Sequence, residues 1–170
     1  LMLSSALVMA MTYASRVHSN LFTGVGLRFH VQVQWWIGDW ADALANQQTL
    51  DDWIRSTSAP RLTVVWADRM LGMLHNDLGR PDLACLVLER NLAAARDAAE
   101  DQTTVPHLAE LARAYAALGR DDEAAATVHE MLDWIDRFDS IGFDCIMPLL
   151  TACRWSLTRT KPIDRDILPE

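Results

Sequence analysis

Three segments of this chain align with one another without gaps and recur at a nearly constant spacing. Each contains a glycine followed five residues later by an alanine, and successive glycines lie 41 and then 40 residues apart. The segments are residues 36–43, 77–84 and 117–124. A spacing of this size predicts an array of similar structural units, because each unit must bury its apolar face against its neighbours.

The residues inside the repeat predict two helices joined by a tight turn. Glycine adopts at low cost the left-handed conformation that commonly ends a helix. The glycines expected to end the first helix of each pair are Gly38, Gly79 and Gly119. Proline or carboxylates follow them, as is typical of the start of a helix. The alanines then lie about one turn into the second helix, where a small side chain lets two helices approach closely; they are Ala43, Ala84 and Ala124.

Between these turns the apolar spacing is helical rather than alternating, and 51% hydrophobic residues are enough for a continuous core. We predict about eight helices, at residues 2–16, 21–37, 39–57, 61–78, 81–99, 105–118, 121–138 and 141–158. Pro60 and Pro106 are placed in the first turns of their helices, where a missing amide donor does no harm, whereas Pro148 falls inside the last one. The predicted fold is all-α, a stack of antiparallel helix hairpins over residues 1–159. Residues 160–170 are expected to form a tail or linker.

Charge and cysteine usage limit the partners and the compartment. The net charge of −8 opposes binding to nucleic acid or to anionic membranes, so neither is expected as a partner. Residues 121–170 carry −6 of this charge. This acidic segment is interpreted either as a docking face for a basic partner or as a solvated helix face. Three cysteines without metal spacing favour a reducing, cytoplasmic setting. Cys145 and Cys153 lie about two helical turns apart, which leaves core packing and redox sensing both open.

The apolar start of the chain, residues 1–14, lacks the basic residues of a signal peptide and is too short to span a bilayer. Because position 1 is Leu rather than Met, we interpret it as a core helix in a piece of a longer protein. Apolar residues at the two ends suggest homodimerisation through terminal helices. They are Leu1, Leu3, Leu7 and Met11 at one end and Ile146, Leu149, Leu150 and Trp155 at the other.

No motif for catalysis or for binding a cofactor occurs in the sequence. Gly-rich phosphate loops, HExxH, GxSxG and EF-hand patterns are all missing, and the five histidines are scattered without ligand spacing. The carboxylates Asp121, Asp122 and Glu123 suit the start of a helix better than an acid and base pair. We therefore predict no catalytic residues, no metal and no cofactor.

The pattern of Leu111, Tyr115, Leu118, Gly119 and Ala124 resembles the tetratricopeptide repeat. The longer period is similar to that of the helical-repeat region of large ATP-dependent LuxR-type bacterial regulators. The resemblance covers residues 20–140 and implies a right-handed α-solenoid. It also implies a sensor segment between a nucleotide-binding domain and a helix-turn-helix domain. A free-standing scaffold or assembly adaptor is the alternative.

In such a stack the first helices line the concave surface, so residues at equal offsets before the three glycines should form columns along it. These offsets predict a groove for a protein or peptide partner, or for a small ligand with an anionic group and an apolar part. The candidate residues are Arg28, Gln32, Trp35, Trp66, Arg69, Met73, Asn76 and Arg113. The arginines are expected to be anion-facing donors, and Trp35 the apolar contact. Core packing of the tryptophans and simple solvation of the arginines are the alternative interpretation.

Overall fold

The computed structural model describes residues 20–98 and 101–137, together with Leu150. These residues form seven α-helices and no β-strand, so the all-α prediction is confirmed for this part of the chain. The helices are α1 (Asn20–Trp36), α2 (Trp40–Ser56), α3 (Arg61–Asp77), α4 (Pro81–Arg90), α5 (Leu92–Ala98), α6 (Asp101–Ala117) and α7 (Asp121–Arg137). The predictions for residues 1–19, 138–149 and 151–170 lie outside the described residues. These include both terminal helices, Pro148, Cys145, Cys153 and the tail.

The three repeat turns share one backbone geometry. The φ angle is +81° at Gly38, +69° at Gly79 and +71° at Gly119, which confirms the predicted left-handed glycines. Each glycine N–H donates to the carbonyl three residues earlier, at an N···O distance of 3.1 Å. The next N–H donates to the carbonyl five residues earlier, at 2.8–2.9 Å. These two bonds satisfy carbonyls that the helix end would otherwise leave without partners.

The alanine that follows each turn is fully buried, as its small size predicted. Ala43, Ala84 and Ala124 are each 0% exposed. Ala84 and Ala124 belong to one apolar cluster with Leu111, and Ala43 belongs to another. The second helix of each pair therefore begins in close contact with the core.

The helices that flank a repeat turn pack against each other: α1 against α2, α3 against α4, and α6 against α7. Neighbouring pairs are joined by contacts of α2 with α3 and of α4 with α6. The helices that end at the glycines also meet, α1 with α3 and α3 with α6. Side chains on these three helices can therefore form contacts between successive pairs.

Two predicted helix boundaries are wrong. The helix expected over residues 81–99 is interrupted at Asn91, because Arg90 and Asn91 both donate hydrogen bonds to Asp68, which is 3% exposed. A further contact lies next to this interruption. His107 Nε2 is 2.8 Å from the carbonyl oxygen of Leu88, three residues before Asn91. Tertiary contacts thus favour the interruption that local propensity did not predict.

The helix expected over residues 105–118 begins instead at Asp101. Pro106 consequently lies inside α6 rather than in its first turn, and it removes one backbone donor from the helix. Pro60 precedes α3 directly, at the N-cap position. None of the helices that the structure describes combines the length and the apolar character needed to cross a membrane.

Candidate functional site

A cavity of about 410 Å³ lies where α1, the end of α2 and the start of α3 meet. Its size falls within the range of small-molecule sites. The lining comprises Gly24, Val25 and Arg28 from α1, Trp53 from α2, the connection 57–60, and Thr63 and Trp66 from α3. Arg28 and Trp66 are two of the residues predicted for a ligand site.

One wall of the cavity depends on a glycine. A Cβ atom added to Gly24 would lie 2.5 Å from Cη2 of Trp53, closer than real Cβ contacts allow. Trp53 also packs against the buried cluster of Leu27, Leu50 and Ala67. The Trp53 indole is therefore held between α1 and the core, which gives the cavity a fixed apolar wall.

A second wall combines an aromatic ring with a cation. Arg28 Cζ lies 4.4 Å from the centroid of the Trp66 ring and 4.7 Å from that of Phe29, distances typical of cation–π contacts. Trp66 is oriented by its Nε1–H, which donates to Thr103 Oγ1 at 3.0 Å. Among the described residues that line the cavity, Arg28 is the one charged side chain, and none is a carboxylate.

A separate polar network connects α1, α3 and α6. None of its residues lines the cavity. Trp35 Nε1 and Arg113 Nη2 both donate to the carboxylate of Asp77. Arg113 also pairs with Glu110, at 3.2 Å. Asn76 Nδ2 donates to the backbone oxygen of Glu110 at 2.9 Å and to its Oε2 at 3.0 Å. Three predicted residues, Trp35, Asn76 and Arg113, thus meet in one network.

Burial raises the pKa of Glu110, while the charge of Arg113 and the hydrogen bond from Asn76 act in the opposite direction. Arg113 lies between the carboxyl groups of Asp77 and Glu110, so its charge already has partners within the protein. Its role as a donor to an anionic ligand stays a prediction. The network can hold three helices in register without any ligand.

The remaining predicted residues occupy other positions on α1 and α3. Met73 and Trp35 both pack against the apolar cluster that contains Val31 and Met70, so neither is a purely solvent-facing contact. Arg69 is half-buried, and its Nε is removed from solvent. Its role as a donor to an anionic ligand stays a prediction. Gln32 is half-buried on α1. Of the eight predicted residues, two line the cavity, three belong to the polar network, and three lie elsewhere on α1 and α3.

Several site residues were missed because the sequence comparison considered only a few offsets on the first helices. Trp53 and the connection 57–60 belong to the end of α2 and to the link that follows it. Asp77 stands two residues before Gly79, and the other repeats have Trp36 and Ala117 at this position. The carboxylate at a position where the other repeats have uncharged residues is a sequence signal that indicates Asp77.

Among the residues that the structure describes, no group of three or more His, Cys, Asp or Glu side chains is arranged to hold a metal ion. Comparisons of the chain with protein-family models, with curated proteins and with solved structures find no match.

Proposed function

We propose that this chain is a non-catalytic binding module whose cavity takes a small molecule with an aromatic body and an anionic group. The observation that carries the proposal is the cavity lining: two indoles, Trp53 and Trp66, beside the guanidinium of Arg28, with no carboxylate among them. The chain as a whole is acidic, with a net charge of −8, whereas the described lining of this pocket combines a guanidinium with apolar surface.

The chemistry of the lining suits each part of such a ligand. Indole walls contribute apolar contact area to an aromatic ring, and pockets of this kind use few polar groups to orient what they bind. Arg28 supplies a charge-assisted contact to a carboxylate, sulfonate or phosphate. The hydroxyls of Ser58 and Thr63 offer further donors at the same cavity. The Thr57 hydroxyl already donates to the backbone oxygen of Trp53 at 2.8 Å, so it can only accept from a ligand.

We further propose that the helices form a right-handed, tetratricopeptide-like stack that serves as the sensor segment of a larger cytoplasmic LuxR-type transcriptional regulator. Support comes from the three turns of similar backbone geometry, the buried alanines after them, and the contacts between the first helices. The cavity borders α1, α2 and α3, so ligand binding would alter contacts between successive helix pairs. That is how a stacked sensor would transmit binding to neighbouring domains.

A free-standing scaffold or assembly adaptor is the second candidate. Large apolar side chains at the surface favour it, including Ile37 at 71% and Leu86 at 68% exposure, because such residues are suited to protein contacts. The flanking sequence separates the two proposals. A nucleotide-binding domain upstream and a helix-turn-helix downstream support the regulator, whereas a reading frame that holds only helical repeats supports the scaffold.

The cavity proposal is tested with three probes that share one ring system and differ in charge: 1-naphthoate, 1-naphthamide and 1-naphthylmethylammonium. Calorimetry on the wild type should give the order carboxylate, amide, ammonium, from tightest to weakest. The substitution Arg28→Gln should weaken naphthoate binding by roughly tenfold or more and leave naphthamide nearly unchanged.

Arg55→Gln is the matched control, because Arg55 lies on α2 with its side chain 63% exposed and does not line the cavity. It should bind all three probes as the wild type does. Equal affinity of the wild type for carboxylate and amide would exclude the anionic part of the proposal. Failure of all three probes to bind would exclude an aromatic ligand of this size.

A further inference from the structure

The Gly38 turn carries an exposed apolar surface. Every residue from 36 to 42 is exposed, and the large side chains among them are Trp36 at 55%, Ile37 at 71% and Trp40 at 39%. These three side chains are called the Gly38 patch below. Because Trp36 ends α1 and Trp40 begins α2, the patch is a continuous feature of one turn.

The repeat itself shows that the turn does not require these side chains. The same two backbone hydrogen bonds close all three turns, and all three glycines have φ between +69° and +81°. At the position of Trp36 the other turns have Asp77 and Ala117, and at that of Trp40 they have Pro81 and Asp121. Two of these four residues are acidic and only Ala117 and Pro81 are apolar, so the fold accepts small or charged groups there. The indoles of the Gly38 patch therefore have no role in forming the turn.

The charge next to the patch is also different from that of the other turns. The residue after the glycine is Asp39 here, but it is Arg80 and Arg120 in the other two. Asp39 and Asp42 are both exposed, and the side chain of Asp39 makes no capping hydrogen bond to α2. The chain has no Lys or Arg between positions 28 and 55. The patch thus combines apolar area with two local negative charges.

We propose that the Gly38 patch docks a short segment of a partner protein in which arginine or lysine stands beside apolar side chains. Indole faces attract such cations, and arginine also pairs with carboxylates such as Asp39 and Asp42. Ile37 supplies contact for the neighbouring apolar residue. Tryptophan is among the residues that contribute most to binding at protein interfaces. The surface comprises one turn, so it fits a short segment rather than a broad interface.

This inference is independent of the ligand proposed for the cavity, and it is tested with random short peptides displayed on phage. The library is selected on the wild type after removal of phage that bind the Trp36→Ala/Trp40→Ala variant. Enriched peptides should contain arginine or lysine next to apolar residues. Their affinity should fall by roughly tenfold or more in the double variant. It should also fall as salt is added, because exposed charges are screened.

Two further variants separate the contribution of charge from that of apolar contact and control for the position of the site. Asp39→Asn/Asp42→Asn keeps the indoles and should weaken the same peptides, which tests the charge separately from the apolar surface. Leu118→Ala is the matched control, because Leu118 occupies the position of Ile37 in the Gly119 turn and is 39% exposed. It should leave peptide affinity unchanged. Circular dichroism and urea unfolding should match the wild type for the variants of the patch.

Four results would overturn the proposal. Peptides that bind the wild type and the tryptophan double variant equally would place their site elsewhere. An enriched set without basic residues, or no enrichment at all, would exclude the proposed partner chemistry. Sedimentation showing a dimer of this chain that the double variant dissociates would make a second copy the occupant instead.

Discussion

Arg113 on α6 lies 2.5 Å from Asp77, the last residue of α3. The side chains are 31% and 17% exposed, so the pair is largely withdrawn from water. Asp77 also accepts a hydrogen bond from Trp35 on α1. One carboxylate therefore connects the three helices that precede the repeat glycines. Its removal should weaken the contact of α3 with α1 and the contact of α3 with α6.

Replacing this carboxylate is expected to destabilise the protein. Asp77→Asn removes the charge opposite Arg113 while keeping an acceptor for Trp35, and it should lower the free energy of unfolding by about 1–3 kcal/mol. Urea unfolding followed by circular dichroism measures the change. The control is Asp52→Asn, since Asp52 pairs with Arg55 at more than 60% exposure and such pairs contribute about 0–1 kcal/mol. Equal effects of the two substitutions would mean that the Asp77 network does not stabilise the fold.

The alanine after each turn is expected to tolerate no larger side chain. Ala124 is 0% exposed and packs with Leu111 and Tyr115, so Ala124→Leu should cost about 1–3 kcal/mol through overpacking. Ala126→Leu is the matched control, because Ala126 lies two residues later on α7 and is exposed. Thermal and urea unfolding should separate the two variants. Equal stability would contradict the close contact at the start of α7.

Gly72 allows α4 to approach α3 closely. A Cβ atom at Gly72 would lie 2.6 Å from Cγ of Leu88, a fully buried side chain. Gly72→Ala should therefore destabilise the protein by about 1–3 kcal/mol, and Leu88→Ala by about 2–5 kcal/mol. The double variant should be more stable than the sum of the single effects predicts, because the smaller side chain relieves the clash. Strict additivity in urea unfolding would show that the two positions are not in contact.

His107 should make stability depend on pH. Burial lowers the pKa of His107 in the folded protein below 6.5, the usual value that it has in the unfolded chain. At pH values between these two pKa values, the unfolded chain binds a proton at His107 more readily than the folded protein does. Its contribution to the free energy of unfolding is therefore lost as the pH falls from about 6.5. The difference in stability between the wild type and His107→Gln, measured in urea, should shift against the wild type on going from about pH 7 to pH 5.

The comparison with His107→Gln is needed because other groups change the free energy of unfolding with pH in the opposite direction. Burial raises the pKa of Glu110 and of Asp51, so each contributes stability that is present at low pH and lost as the pH rises through the folded pKa. Both groups remain in the variant, and their effects cancel in the difference. A difference between the two proteins that does not change with pH would contradict the buried, neutral His107.

The repeat turns could be predicted from the sequence because they depend on local chemistry. A left-handed residue is needed wherever a helix ends in this way, and glycine meets that need at Gly38, Gly79 and Gly119 whatever surrounds it. The small residue that follows at a fixed distance is determined by the same local geometry. The helical class and the periodic apolar faces followed from spacing alone.

The site depended on contacts between residues far apart in the chain, and only the tertiary structure decided it. Trp53 became a cavity wall because Gly24, 29 positions earlier, leaves room for its ring. Arg113 was paired by Asp77, and the helix expected over residues 81–99 was interrupted where Arg90 and Asn91 reach Asp68. A repeat pattern determines which helices are neighbours. Partners for buried charges and space for side chains are determined by how those helices pack.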